Sequence, residues 1–568
     1  MAGKTGRFKI LEQFIADGMT VMFGNPGTVE QGFLDALDAY PAMRYILTLQ
    51  ESVAVLAADG YARATRRPTL VQLHSAPGIG NAVGALYQAK RGHAPLVVIG
   101  GDAGLRYMNM DAQMAGDLVA MMAPVTKYAT MVLDPRSLLR TLRRAIKIAA
   151  TPPMGPVYVC LPADVLDQVN DEPVFPSCVP STRVLPPTDM LERIAAGLRD
   201  AERPVLFIGD GVAASEAQAE TARIAELLGA PVYGADIGEV CMDTTHPCWH
   251  GTTGHMFGAQ SLPITRSGDA NLVVGTYMVP EVFPELGDIF APGAAVFHID
   301  LNGYEIAKNH RVDIGVTADP KLTLAALADL LEKTMPPPRK KAAAERVARF
   351  AAEKREQTEK EKAEDRRHDG TVPLHMAQFM RTLAEKLPPD AVIFDEALTS
   401  GPEVTRYLPP RTAGSYFVTR GGSLGVGFPG ALGAKIAFPA RTVIGFSGDG
   451  GSMYTIQALW SAARHKPGAK FVVCNNGSYR LLQLNILQYW KDNGIAPHDM
   501  PLSFDLSEPR IDFAALARSL GVEAARVEKE ADIAPAVERM LADDRPFLID
   551  LLLEGNVHPE RIGVKCGQ

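Results

Sequence analysis

Residues 446–480 read FSGDGGSMYTIQALWSAARHKPGAKFVVCNNGSYR, and this stretch decides the fold of the last third of the chain. The apolar run "RTVIGFS" ends just before Asp449, and the apolar run "KFVVCNN" ends at the asparagine pair 475–476, with a helical pattern between them. The order predicts strand, turn, helix and strand, which is one βαβ unit. Because both strands of such a unit point the same way, Asp449 and Asn476 are predicted to meet at the carboxyl edge of a sheet, where open α/β folds bind ligands.

The same alternation of short apolar runs with helical patterns covers most of the chain. It predicts an α/β fold with three doubly wound parallel-sheet domains, at residues 1–180, 187–335 and 371–568. Residues 336–370 mix charges of both signs with many alanines and contain no apolar run, so we predict a solvated helical connector there. The first and third domains are expected to resemble each other.

Composition excludes several classes of protein. At 568 residues the chain is too long for one core, and its net charge of −8 gives no reason to expect nucleic acid or a membrane surface as partner. The six cysteines form no C-x-x-C motif, which predicts reduced thiols in a cytoplasmic protein rather than a disulfide framework. We find no signal-peptide pattern and no apolar run of transmembrane length.

The residue types around Asp449 predict a cation and a phosphate group. A carboxylate, the amide oxygen of Asn476 and carbonyls of the following "GSY" turn form an all-oxygen set that suits Mg²⁺ with diphosphate oxygens. Glycines at 448, 450 and 451 let the backbone approach a phosphate. Taken singly, GDGG and NNG would each indicate an ordinary tight turn. Their combination in one βαβ unit favours a binding site.

The span from GDG to NN resembles the motif that binds thiamine diphosphate and Mg²⁺ in thiamine diphosphate-dependent enzymes. The resemblance implies that Asp449, Asn476 and the main-chain carbonyl of Ser478 hold the metal ion. It also implies that the cofactor's diphosphate lies among the residues of the two turns, which are Gly448, Gly450, Gly451, Ser452, Asn476, Ser478 and Tyr479.

Thiamine chemistry also requires an acid that protonates the aminopyrimidine ring. A glutamate in a dry pocket can do this because burial raises the pKa of a carboxyl group. In "RYILTLQESVAVLAADGYARAT", Glu51 lies where an apolar run gives way to a nearly apolar helix. An acidic residue in the first turn of a helix is by itself unremarkable, since the helix dipole favours it. With the motif at 448–478 also present, Glu51 is the predicted cofactor-activating acid.

Further motifs extend the resemblance to the decarboxylase and acetohydroxyacid synthase branch of this superfamily. They are "FGNPGTVE", "LHSAPGIGNAVGAL", "GPVYVCLPADV" and "GGSLGVGFPGALGAKIA", and "LHSAPG" is most similar to benzoylformate decarboxylases. The resemblance implies that Leu424 props the cofactor, that the Gly422 carbonyl accepts from its exocyclic amine and that Thr399 contacts the diphosphate. Thr28 would touch the substrate carboxylate, and His74 would be an active-site histidine.

The resemblance fails at one important position. Benzoylformate decarboxylases carry a second pocket histidine on a loop of the middle domain. The corresponding segment here, "VVGTYMVPEVFPELGDIFAPG", has no histidine, and Val282 stands near the expected place. The proton relay of a simple decarboxylation is therefore incomplete by sequence.

Four further residues are predicted to line the substrate pocket. Gln113 and Met114 lie where carboligases and lyases of the group keep pocket residues. Leu482 and Asn485 follow the metal motif directly. A separate cluster, "HPCWHGTTGH", brings together His246, Cys248, His250 and His255, but its spacing is only a weak indication of zinc.

The preferred function is a thiamine diphosphate- and Mg²⁺-dependent, benzoylformate decarboxylase-like decarboxylation of a 2-oxo acid, by a homodimer or homotetramer with active sites between subunits. An aldehyde or acyl acceptor would instead make it an acetolactate synthase-like carboligase, and carbon–carbon cleavage a 2-hydroxyacyl lyase. A non-catalytic assembly subunit would have little reason to keep Glu51, Asp449 and Asn476. An oxidoreductase would require G-x-G-x-x-G after a strand, which is not found in that frame. FAD bound in the middle domain is a less favoured alternative.

Overall fold

The computed structural model describes residues 3–254, 258–278 and 287–557. Within these ranges the chain forms three parallel sheets of six strands each, with helices packed against them. The predicted fold class is confirmed. None of the described helices is long and apolar enough to cross a membrane.

The first sheet has the strand order β2-β1-β3-β4-β6-β5. Its strands are β1 (Val21–Gly24), β2 (Arg44–Leu47), β3 (Thr69–His74), β4 (Leu96–Asp102), β5 (Tyr128–Met131) and β6 (Val157–Pro162). Its helices are α1 (Gly6–Ala16), α2 (Gln31–Ala36), α3 (Glu51–Thr65), α4 (Ser75–Arg91), α5 (Leu118–Met122), α6 (Leu138–Ala150) and α7 (Ala163–Leu166).

The middle sheet has the order β12-β11-β10-β7-β8-β9, which is the order of doubly wound dinucleotide-binding sheets. Its strands are β7 (Pro204–Ile208), β8 (Val232–Gly234), β9 (Trp249–Thr252), β10 (Ala270–Val274), β11 (Ala295–Asp300) and β12 (Ile314–Thr317). Its helices are α8 (Thr188–Asp200), α9 (Asp210–Ala214), α10 (Gln218–Leu228), α11 (Gly258–Thr265) and α12 (Pro320–Thr334).

The connector forms one long helix, α13 (Pro337–Asp365), most of whose residues are exposed. It is attached at both ends. Phe350 packs into the core of the middle domain, and Asp365 accepts two hydrogen bonds of 2.9 and 3.0 Å from Arg406 in the third domain. The helix therefore braces two domains as well as linking them.

The third sheet has the order β14-β13-β15-β16-β18-β17. Its strands are β13 (Val392–Glu396), β14 (Tyr416–Val418), β15 (Val443–Gly448), β16 (Lys470–Asn475), β17 (Glu523–Val527) and β18 (Phe547–Leu552). Its helices are α14 (Met376–Lys386), α15 (Gly401–Tyr407), α16 (Gly427–Ala437), α17 (Asp449–Ser452), α18 (Ala458–His465), α19 (Arg480–Asp492), α20 (Phe513–Ser519) and α21 (Glu530–Leu541).

The first and third sheets follow the same path, and the helices after their second strands, α3 and α16, pack against each other. Glycines permit the close approach. A Cβ atom on Gly60 would lie 2.2 Å from the Gly430 carbonyl oxygen, and one on Gly433 would lie 1.8 Å from the Ala57 carbonyl oxygen. One hydrophobic core runs through this contact and includes Phe23 of the first domain and Phe428 of the third.

Four strands lack a clear signal in the sequence: β5, β9, β12 and β17. Each lies at the edge of its sheet. Their residues are partly exposed, so no continuous apolar run marks them. The helix predicted directly after "GDGG" is also shorter than expected, because α17 takes one turn at Asp449–Ser452 and α18 begins at Ala458.

We predict that Gly433→Ala strongly destabilises the protein, because the new methyl group would overlap the backbone of α3. Overpacking of this kind costs about 1–3 kcal/mol, and the rigid neighbour places this case at the upper end. The matched control is Gly84→Ala in α4, where a Cβ would meet no described atom within 4 Å. Thermal unfolding should show a lower midpoint for the first variant alone; equal midpoints would contradict the close packing of α3 and α16.

Candidate active site

The carboxyl ends of β15 and β16 bring the two predicted turns together. The strands pair in parallel, with Gly448 beside Cys474. Asp449 follows at once, and its two carboxylate oxygens accept hydrogen bonds from the amides of Gly450 (2.8 Å) and Gly477 (2.6 Å). The turn at 476–478 therefore lies directly against Asp449, as the βαβ argument predicted.

The two adjacent asparagines have different environments. Asn475 is buried, and its amide donates to Asp550 on β18 (2.9 Å). Asn476 lies past the end of the strand, where its side-chain oxygen accepts from the amide (2.9 Å) and hydroxyl (3.0 Å) of Ser478. Of the pair, Asn476 is thus the one whose oxygen lies in the turn beside Asp449.

The donor chemistry of this corner fits a hard cation next to an anion. Burial raises the pKa of the Asp449 carboxyl, and only backbone amides act against that shift. Both oxygens therefore keep lone pairs for a metal ion.

The glycine turn beside Asp449 is open on one side. A Cβ on Gly448 would meet no described atom within 4 Å, whereas one on Gly450 would lie 2.3 Å from the Tyr479 ring. The turn is open on one side and closed by Tyr479 on the other. Ser452 steadies it by donating to the Gly448 carbonyl oxygen (2.7 Å).

Arg480 is a buried cation that the sequence analysis missed. Its guanidinium donates to the Thr399 hydroxyl (3.0 Å) and forms an ion pair with Glu554 (3.1 Å). It thereby links the predicted diphosphate contact Thr399 to the start of α19. Arginine at the start of an apolar helix has no distinctive sequence signal, so only the three-dimensional contact identifies it.

The loop between β14 and α16 carries Gly422 and Leu424. Three of its glycines have left-handed backbone conformations: φ is +63° at Gly421, +71° at Gly422 and +84° at Gly425. A Cβ on Gly422 would meet no described atom within 4 Å, so its backbone faces open space. Leu424 is half-buried, and the Ser423 hydroxyl donates to the Gly84 carbonyl oxygen of α4 (3.1 Å).

Glu51 is the first residue of α3. The side chain of Gln50 caps this helix by accepting from the Val53 amide (3.2 Å), which fixes where it begins. The amide of Asn81, on α4, donates to Oε2 of Glu51 (3.1 Å). The other carboxylate oxygen faces Gly78, where an added Cβ would lie 3.0 Å away. Glu51 is half-buried in the single chain, so the expected dry pocket is not complete within it.

His74 ends β3 and forms a close pair with a residue that the sequence analysis did not select. Its Nδ1 lies 2.9 Å from Oε2 of Glu30, whose other oxygen accepts from the Gly101 amide (2.9 Å). Burial raises the pKa of the Glu30 carboxyl, and the neighbouring imidazole partly offsets this. Gly27 packs on the ring, since a Cβ there would lie 1.9 Å from Cγ of His74, and Thr28 follows as an exposed residue.

Comparison with known proteins gives three matches along the chain to thiamine pyrophosphate enzyme domains. The N-terminal binding domain matches residues 4–121, the central domain residues 191–327 and the C-terminal binding domain residues 399–551. Benzoylformate decarboxylase of Pseudomonas aeruginosa is 32% identical over 550 residues, which cover 94% of this chain and 96% of that protein. The chain belongs to the thiamine pyrophosphate enzyme family. It is a thiamine diphosphate-dependent enzyme.

Two other relatives place the enzyme within this family. Acetolactate synthase 1 of Nicotiana tabacum is 27% identical over 579 residues, covering 98% of this chain and 82% of that protein. A solved structure of the Rhodococcus jostii thiamine diphosphate-dependent 4-hydroxybenzoylformate decarboxylase is 28% identical, with a TM-score of 0.82, and covers 98% of this chain and 100% of that one. The predicted resemblance to decarboxylases and acetohydroxyacid synthases is confirmed.

The predicted pocket residues lie on two segments of the enzyme. The Met114 carbonyl oxygen accepts from the Ala76 amide (3.4 Å), which places residues 113 and 114 beside the end of β3. Leu482 is 41% exposed and Asn485 is half-buried, both on α19. Their roles as substrate contacts stay predictions.

Val282, which stands near the place of the second pocket histidine, lies outside the described residues. So does His255, one member of the cluster considered for zinc. Among the residues that are described, no group of three or more His, Cys, Asp or Glu could hold a metal ion. His246 instead contacts Glu226 (3.0 Å), and His250 packs edge-on against Phe350. The described members of the cluster at 246–255 therefore give no support to a zinc site.

We predict that Glu30→Gln slows turnover by about 10²-fold, because it changes the carboxyl group that pairs with Nδ1 of His74, the predicted active-site histidine. The double variant with His74→Ala should be no slower than His74→Ala alone, since the two residues act as a unit. Glu172→Gln is the matched control: this buried acid accepts from the Leu139 amide at the start of α6. The effect is measured by steady-state kinetics with a 2-oxo acid that the enzyme turns over. Additive losses of rate in the double variant would refute the pairing of the two residues.

Proposed function

We propose that the enzyme is a thiamine diphosphate- and Mg²⁺-dependent, benzoylformate decarboxylase-like decarboxylase of a 2-oxo acid. The observation that carries this is the acid–base group of the first domain: Glu51 and the His74–Glu30 pair. Glu51 and His74 both lie against Gly78, since a Cβ added there would be 3.0 Å from Glu51 Oε1 and 3.5 Å from Cβ of His74. An acid that activates the cofactor and a histidine that handles a substrate proton would thus share one wall of a pocket.

The third domain would bind the cofactor. Asp449, Asn476 and the Ser478 carbonyl would coordinate Mg²⁺, and Thr399 with the turn at 448–452 would surround the diphosphate. The Gly422 carbonyl and the Leu424 side chain would hold the ring system. When bound, thiamine diphosphate supplies a nucleophilic carbon that adds to the keto group and takes up the electrons released with CO₂.

Each first-domain residue would have a separate task. Glu51 would hold the proton that activates the aminopyrimidine ring, with Asn81 orienting its carboxyl group. His74 would move a proton at its Nε2, because Glu30 occupies Nδ1. Thr28 follows Gly27, which lies against the His74 ring, and would donate its hydroxyl to the substrate carboxylate.

A carboligase that transfers the decarboxylated fragment to an aldehyde or acyl acceptor is the second candidate, with a 2-hydroxyacyl lyase as its variant. Two observations favour it: the similarity to an acetolactate synthase, and the lack of any histidine in the sequence of residues 273–293. A screen of 2-oxo acids for CO₂ release, with and without an aldehyde, separates the candidates. Release that needs no acceptor supports the decarboxylase, and release that requires one supports the carboligase.

We further propose a homodimer or homotetramer with active sites between subunits. Glu51 is half-buried in the single chain, although its task requires a dry pocket. Large apolar side chains are also exposed near the loops of the site: Tyr87 (44%), Met453 (41%) and Tyr454 (57%). A second copy of the chain that covered these side chains would also seal the pocket around Glu51.

We predict that Glu51→Gln binds thiamine diphosphate nearly as tightly as the wild type but exchanges the proton on the thiazolium carbon about 10²–10⁴-fold more slowly. The diphosphate and the metal anchor the cofactor from the third domain, so only the proton supply changes. Quenched-flow exchange in D₂O measures this without knowledge of the substrate. Exchange at the wild-type rate, with cofactor bound, would show that Glu51 is only a helix-start residue.

We predict that Asp449→Ala abolishes Mg²⁺-dependent binding of thiamine diphosphate, because the only carboxylate of the proposed metal set is removed. Asp505→Ala serves as the control, since it removes an exposed acid from the segment whose backbone pairs with Ser478. Titration calorimetry with and without Mg²⁺ gives the affinities. Unchanged affinity in Asp449→Ala would place the metal elsewhere.

A further inference from the structure

Glu396 is a fully buried carboxylate at the end of β13, and the proposed mechanism gives it no task. It is 1% exposed. One carboxylate oxygen accepts from the Gly425 amide (2.6 Å), and the other accepts from the Gly427 amide (2.8 Å) and the Ser447 hydroxyl (3.0 Å). A single side chain thus accepts from three donors on two separate segments.

Among the described residues, the groups around this carboxylate are neutral hydrogen-bond donors and not a counter-ion. Burial raises the pKa of Glu396 to about 7, and the groups that act against burial are backbone amides and the Ser447 hydroxyl. An isolated buried charge is costly unless it is well hydrogen-bonded. The site is therefore built around these donors, and their geometry depends on the carboxylate.

The two segments that Glu396 joins are those proposed to hold the two ends of the cofactor. Gly425 lies near the end of the loop that carries Gly422 and Leu424, and Gly427 is the first residue of α16. Ser447 directly precedes the turn at 448–452. The loop has little stiffness of its own, because three of its residues are glycines in left-handed conformations, and glycine is the residue with the greatest backbone freedom.

We propose that Glu396 is a positioning residue that fixes the cofactor-propping loop, with Gly422 and Leu424, relative to the diphosphate-binding turn. This inference rests on the proposed function, which assigns the loop and the turn to the cofactor. Glutamine in place of Glu396 keeps only one acceptor oxygen, so either the Gly425 amide or the Gly427 amide with the Ser447 hydroxyl loses its acceptor. The loop then shifts, while Asp449 and its turn remain in place.

The adjacent acid provides a matched control. Asp395 is 0% exposed, and it accepts from the Tyr416 hydroxyl (2.5 Å) and the Ala397 amide (2.7 Å). It is a neighbour of Glu396 on the same strand, so its side chain points to the opposite face of the sheet. Replacing it removes a buried, hydrogen-bonded carboxylate from the same strand without touching the loop or the turn.

The test compares Glu396→Gln, Asp395→Asn and Ser447→Ala in the full-length protein with thiamine diphosphate and Mg²⁺. Three quantities are measured: the thermal midpoint, the cofactor affinity by calorimetry, and the rate of proton–deuteron exchange at the thiazolium carbon of bound cofactor. For Glu396→Gln we expect exchange to slow by about 10–10²-fold, as misplacement by about an ångström does, with affinity within a few-fold of wild type. Asp395→Asn should exchange at the wild-type rate whatever its thermal midpoint.

Ser447→Ala keeps the carboxylate and removes one donor, so it should slow exchange less but in the same direction. If Glu396→Gln does not fold, the exchange rate of Ser447→Ala tests the inference in its place. Wild-type exchange in Glu396→Gln, or in Ser447→Ala where only that variant folds, overturns the inference, and so does an equal loss in Asp395→Asn. Failure of the wild-type protein itself to exchange would instead refute the proposed function.

Discussion

The contact between α3 and α16 is the constraint on which the rest of the structure depends. Backbone touches backbone there, through Gly60 against Gly430 and Gly433 against Ala57. α3 begins with Glu51, and α16 begins directly after the loop that carries Leu424. The crossing therefore sets how the helix that begins with Glu51 packs on the helix that follows the Leu424 loop within one chain. A bulkier residue at the crossing would push the two helices apart, because close-packed interiors have no room to absorb it.

Buried acids held by glycine amides recur at the ends of the strands. Glu30 accepts from Gly101, Glu396 from Gly425 and Gly427, and Asp449 from Gly450 and Gly477. Backbone donors stabilise a carboxylate without adding a second charge, and glycine leaves room for the approach. A cation in place of these donors would neutralise the acid. The arrangement leaves no side-chain cation among the hydrogen-bond donors of Asp449, which suits its proposed role as a metal ligand, and it keeps one oxygen of Glu30 beside His74.

Much of this could be predicted from sequence, for physical reasons. Central strands such as β3 and β16 are buried on both faces and therefore read as continuous apolar runs, whereas β5, β9, β12 and β17 are edge strands with partly exposed residues. Site residues that belong to local motifs, such as Asp449 and Asn476, were predictable because the βαβ geometry brings their turns together. Glu30 and Arg480 were not, since each acquires its meaning from a partner 44 or 81 residues away.

The two halves of the candidate site differ in how complete they are. The third-domain half is closed by its own chain: Asp449, Glu396 and Arg480 are all buried, and their donors and acceptors come from neighbouring turns. The first-domain half is closed only around the His74–Glu30 pair. Glu51, at the start of α3, is partly exposed, and Asn81, which donates a hydrogen bond to it, is itself exposed. Burial is what raises the pKa of a carboxyl group, so the role proposed for Glu51 requires a cover that the single chain does not supply. The surface around Glu51 is therefore the part of the site that the folded single chain leaves open.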